Sequence, residues 1–146
     1  MAQLNKSEEE LRKLSVEMRY LEQTAETLEQ RIGMVNAAIS DLTLASMTLD
    51  GIEKEKENSE LLVPIGGNAY VKAKLADTNT VIVGMGAGVS VEKTVAEAKV
   101  TLKERLDELE KTMNAAQQQF AQVAERLNSS RGRLETLLSS ARERKP

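Results

Sequence analysis

The residues whose spacing could do chemistry are the glycines of Gly84-Met85-Gly86-Ala87-Gly88. They follow a β-branched run, Thr80-Val81-Ile82-Val83, and precede a long helical pattern. A glycine-rich turn in that position can hold phosphate, because it exposes backbone N–H groups and permits close approach. The spacing here is G-x-G-x-G, however, without the third glycine of G-x-G-x-x-G, and no Walker lysine follows. Val89-Ser90-Val91 also stands between the glycines and the helix. A tight strand-to-strand turn at positive φ accounts for the run better than a nucleotide does. Other chemistry lacks its parts. The 146 residues include no His and no Cys, so the serines have no imidazole base and there is no thiol nucleophile. Carboxylates are plentiful but lie on solvated helix faces, and no EF-hand-like loop is present to form an oxygen cage. The expectation is a chain that is not an enzyme and binds no cofactor and no metal.

The segments that flank the glycines carry the stronger pattern. With a at Leu4, the a positions are Leu4, Leu11, Met18, Ala25, Ile32, Ile39 and Ser46. The d positions are Ser7, Leu14, Leu21, Leu28, Val35, Leu42 and Leu49. Such an unbroken heptad register predicts a coiled coil. Ser7 followed by Glu10 is a capping-box pattern that would mark the helix start. A second heptad segment places Lys99, Leu106, Met113, Phe120, Leu127, Leu134 and Ala141 at a. It places Leu102, Leu109, Ala116, Val123, Ser130 and Leu137 at d. Two arms of nearly equal length around one hub suggest antiparallel pairing, with Leu11 near Leu138. Parallel self-dimerisation competes on heptads alone. Val16 and Leu138 fall off the seam, at f and e.

Between the arms, Leu61-Leu62-Val63-Pro64-Ile65 and Tyr70-Val71-Lys72-Ala73-Lys74-Leu75 are strand-like and joined by a Gly-rich turn. Ala76 to Asn79 is a turn, Thr80 to Met85 a third strand and Val89 to Val91 a fourth, with helix resuming near Glu92 or Lys93. Four such strands without tryptophan or phenylalanine cannot bury a core alone, and their edges would be adhesive. The hub is therefore expected to pair with hubs of other subunits. The fold class is α+β, mainly α: a long antiparallel two-helix coiled coil joined by two β-hairpins that assemble into an inter-subunit β-barrel. The expected divisions are 1–57 for the first helix, 58–92 for the hub and 93–146 for the second helix.

Composition narrows the partners. Net charge is −3 with both signs interspersed, and no basic stripe points to nucleic acid. The first residues open directly into a charged helix pattern, so no signal peptide is read there. No apolar run is read as long enough to span a membrane. The expectation is no nucleic acid, no membrane and a cytoplasmic location.

Coiled-coil arm, double hairpin and coiled-coil arm together resemble the α-type subunit of archaeal prefoldin (GimC). The residues that carry the resemblance are Leu62-Val63-Pro64-Ile65-Gly66, Tyr70-Val71-Lys72-Ala73, Asp77-Thr78, Val81-Ile82-Val83 and Gly86-Ala87-Gly88-Val89. The resemblance implies a hexamer of two α-type and four β-type subunits. It implies capture of non-native client proteins at the coiled-coil tips without ATP, and transfer to a group II chaperonin. It assigns assembly to Leu62, Val63, Ile65, Val71, Val81, Val83 and Val89. It assigns client contact to Leu4, Leu11, Leu14, Val16, Leu127, Leu134, Leu137 and Leu138. A structural coiled-coil adaptor or tether with one fixed partner is the alternative.

Overall fold

The structure is a computed structural model; it describes residues 2–143, with side chains from 5 to 143. Element order is α1 (Ala2–Lys54), β1 (Glu60–Gly66), β2 (Ala69–Lys74), β3 (Thr80–Gly86), β4 (Val89–Thr94) and α2 (Val95–Glu143). The two antiparallel hairpins, β1–β2 and β3–β4, are separate two-stranded sheets. This is the mainly α architecture expected from the heptads and the glycine spacing.

The heptads describe the helix faces well. From Ser7 to Leu49 every a and d side chain is buried or half-buried, with Leu14, Leu21, Leu28 and Leu49 the deepest. In α2 the same holds from Lys99 to Leu137. The helix start differs from expectation. α1 is already helical at Ala2, so Ser7 lies inside it and caps nothing. The favourable propensities of Ala2, Gln3 and Leu4 extend the helix past the capping pattern. Gly33 and Gly132 lie on exposed helix faces, and a Cβ at either would meet nothing within 4 Å. Gly33→Ala and Gly132→Ala should each stabilise the fold by about 0.5–1 kcal/mol, read as a rise in the thermal unfolding midpoint.

The chain forms two compact units. One pairs α1 up to Asn36 with α2 from Lys111 onward. There Glu17 meets Arg126 at 3.0 Å and Glu10 meets Arg133 at 3.6 Å, so the helices run antiparallel. Parallel pairing of equivalent arms is not needed. The register differs from the one read in the heptads: the partner of Glu10 is Arg133, so Leu11 does not lie opposite Leu138. A seven-residue repeat sets which faces meet but leaves sliding along the seam open, and the g-position ion pairs make that choice.

The other unit, Ala37–Glu110, holds both hairpins. They are built alike, twenty residues apart: Val63 pairs with Val71 as Val83 pairs with Val91. In each, the register shifts next to the turn, at Pro64/Gly66 and at Gly84/Gly86. The turns are Gly67-Asn68 and Ala87-Gly88, all four at positive φ. That is the geometry of tight hairpin turns matching strand twist. The glycines that resemble a phosphate loop therefore serve a turn. The linker between the hairpins is fastened by Asp77, whose carboxylate accepts the Thr80 hydroxyl at 2.6 Å and the Asn79 N–H at 2.7 Å. Those bonds, the Thr80 hydroxyl first, hold its pKa below the ordinary value.

β4 runs to Thr94, past the expected helix start at Glu92 or Lys93. The ladder partners Thr80↔Thr94 and Ile82↔Glu92 keep this stretch extended. Thr94 then caps α2, its Oγ1 accepting the Glu97 N–H at 3.1 Å. The expectation of no membrane-length apolar run also needs correction. α1 has a window of mean hydropathy 1.3 and is long and apolar enough to cross a membrane by length and composition. Ile32 to Leu49 contains one charged residue, Asp41. Its seam residues Ile32, Val35, Ile39, Leu42 and Leu49 are nonetheless shielded to half or more, as a helix partner requires.

Candidate functional site

The hairpins leave most of their apolar surface uncovered. Leu62, Val63, Ile65, Val71 and Val89, all assigned to assembly from sequence, are exposed. So are Tyr70, Ile82, Met85 and Val91, which the sequence reading did not select. Ile82 is the most exposed of them at 77%. Strand alternation was the available signal for Ile82, since it points away from the face that carries Val81 and Val83.

Val83 and Val81 have a different place. Val83 is 8% exposed and clusters with Leu49, Val95, Ala98 and Leu102, with Val81, Leu42 and Ala45 packed against it. The second hairpin thus lies on the helices of its own chain, and these two valines support the surface from behind. Beside this cluster runs a groove of about 550 Å³, lined by α1 residues including Asp41, Leu44 and Thr48 and by β3 residues including Ile82 and Gly84. Arg105 borders it and donates to the Gly84 carbonyl at 2.7 Å, which ties β3 to α2.

A charged residue at a seam position is also explained here. Lys99 Nζ lies 2.8 Å from Asp50 and 2.6 Å from Glu53. The hydrogen bond that Lys99 donates to Asp50, then the one it donates to Glu53, holds the Lys99 pKa above its usual value. The bond from Lys99 correspondingly lowers that of Asp50.

In the unit formed by the chain ends, Leu14 and Leu127 are buried and Leu11, Leu134 and Leu137 half-buried in the seam. Val16 is 65% exposed and Leu138 44% exposed, as their off-seam positions suggest. Leu4 lies outside the described side chains. Among the described residues no cluster of three or more acidic groups is arranged to hold a metal.

A two-helix coiled coil joined by two antiparallel hairpins, the second packed on the helices of its own chain, defines a class of fold. Comparison with known proteins specifies it. The prefoldin-subunit family model matches residues 21–139. A prefoldin α subunit of Methanococcoides burtonii is 37% identical over 84% of this chain and 89% of its own. One from Pyrococcus horikoshii is 35% identical over 87% of this chain and 84% of its own. In a cryo-EM structure of filamentous PFD from Methanocaldococcus jannaschii, a chain matches with TM-score 0.69 and 24% identity, over 79% of this chain and 95% of that one. The prefoldin β subunit of Thermococcus strain KS-1 matches with TM-score 0.60 and 18% identity, over 93% and 94%. The chain belongs to the prefoldin family, whose members are chaperone subunits, and is of the α type.

Proposed function

We propose that this chain is the α-type subunit of an ATP-independent holdase acting in the cytoplasm. Two copies join four β-type subunits, and the hairpins of all six form the inter-subunit β-barrel. The coiled-coil ends capture non-native proteins and release them to a group II chaperonin. The observation that carries this reading is the uncovered apolar surface of the hairpins: Leu62, Ile65, Tyr70, Ile82 and Val89 are exposed. Single chains seldom leave so much contiguous apolar surface unpartnered. Assembly falls on Leu62, Val63, Ile65, Val71 and Val89, with Val81 and Val83 seating the second hairpin, which carries Val89, on the helices. Client contact falls on Val16 and Leu138 first. It extends to Leu11, Leu14, Leu127, Leu134 and Leu137 when the end of the coil opens. Many weak contacts over several arms then sum to useful avidity.

The test is reconstitution with β-type subunits and an unfolded client, without nucleotide. A defined hexamer by native mass spectrometry, together with suppressed client aggregation, is the expected result. One tight stoichiometric partner and no protection of unrelated unfolded proteins would establish the tether instead.

A further inference from the structure

We propose that Ser129 is a phosphorylation site for an arginine-directed serine kinase, and that its phosphate opens the coiled-coil end. The site lies in the unit formed by the chain ends. There a surface cavity of about 220 Å³ is lined by Leu14, Glu17, Arg126, Ser129, Ser130 and Arg133. Ser130 is buried in the seam, whereas Ser129 is exposed, so one hydroxyl of the pair is open to an enzyme. Arg126 stands three residues before Ser129, a cation that a kinase's acidic substrate cleft can read. The surrounding run, Asn128-Ser129-Ser130-Arg131-Gly132, contains four poor helix formers. Local opening is easiest in such a stretch, and it supplies the extended backbone that a kinase cleft takes.

The same arginines hold the two helices together. Arg126 lies at i−3 and Arg133 at i+4 from Ser129, so all three share one helix face. Arg126 pairs with Glu17 at 3.0 Å and Arg133 with Glu10 at 3.6 Å, two cations against two carboxylates across the seam. In the modification, Ser129 Oγ attacks the γ-phosphorus of ATP. The new O–P bond forms as the bond to the β-phosphate oxygen breaks, ADP leaves, and the hydroxyl proton passes to the kinase's base. The product carries a charge of about −2 and three strong acceptor oxygens. It draws Arg126 and Arg133 into charge-assisted bonds on their own helix. Glu17 and Glu10 then lose their partners and face the new anion, so the interhelix attraction becomes repulsion. Opening bares Leu14 and Leu127, and the modification thereby regulates the client capture proposed above; that consequence alone rests on the proposed function.

The full chain serves for the test. Treated with ATP and an arginine-directed serine kinase, it should gain phosphate at Ser129 by peptide mass spectrometry, and Arg126→Gln should slow the gain about tenfold. With phosphoserine genetically encoded at 129, amide hydrogen exchange across residues 8–17 and 126–133 should quicken about tenfold, with both hairpins unchanged. In the pair Glu10→Gln with Glu17→Gln, the same phosphoserine should change exchange by less than about threefold relative to the unphosphorylated pair. No phosphate at Ser129, exchange that ignores the phosphoserine, or equal quickening in the glutamine pair overturns the proposal. Exchange is measured without client, so the two readings fail separately. Unaltered exchange with intact client protection loses only the switch; quickened exchange with no client protection loses only the capture.

Discussion

Removal of residues 1–14 together with 131–146 should abolish protection of an unfolded client while the complex still assembles. The deletion takes Leu11, Leu14, Leu134, Leu137 and Leu138, and leaves Leu21, Leu28, Ala116 and Leu127 as buried seam residues. The hairpins belong to the other compact unit and are untouched. Light scattering of a denatured client reports protection, and native mass spectrometry reports assembly. A finer variant separates client contact from coil stability. Val16→Asp with Leu138→Asp alters two exposed side chains, so its cost to folding should be within about 0.5 kcal/mol per site. It should still impair protection. Full protection by the truncated complex would remove the chain ends from the mechanism.

The second large effect is Val83→Asp. Val83 sits against Leu49, Val95, Ala98 and Leu102, and Arg105 nearby is engaged by the Gly84 carbonyl. An unpaired charge placed there should cost about 3–5 kcal/mol, enough to detach the hairpin from the helices. Chemical denaturation should show loss of cooperative stability, and assembly should fail as a result. Ile82→Asp is the informative comparison. Its neighbour's side chain faces the core, but Ile82 itself is 77% exposed. Unfolding of the isolated chain should barely change, whereas assembly should weaken. If Ile82→Asp assembles as well as the parent, the exposed face of the second hairpin is not an interface.

The coiled-coil seam was legible residue by residue, because burial in a helix pair follows a seven-residue period that local sequence displays. The hairpins were legible from glycine and β-branched spacing. What sequence missed was tertiary. Ala98 falls at g, outside the seam, yet it is fully buried beneath the second hairpin. Nothing in a heptad announces that a strand far along the chain will cover that face. The same event buries Val83, a residue that the resemblance assigned to assembly. The capping role of Thr94 is not a local signal, because it depends on where the β-ladder ends, and that is set by its partner Thr80. Lys99 holds a seam position because Asp50 and Glu53, far away in the sequence, stand beside it.

The near-duplication of the hairpins bears on how such a chain behaves as a building piece. One copy of the motif is braced by its own helices and presents an oriented face. The other has no helix cluster of its own beneath Val63, which stays exposed. If both hairpins serve assembly as proposed, such a piece has a valence of two, with unlike ends. Partners that offer one end each would then stop growth by occupying the last open ends, and the ratio of the two kinds of chain would set the size of the particle with no template needed.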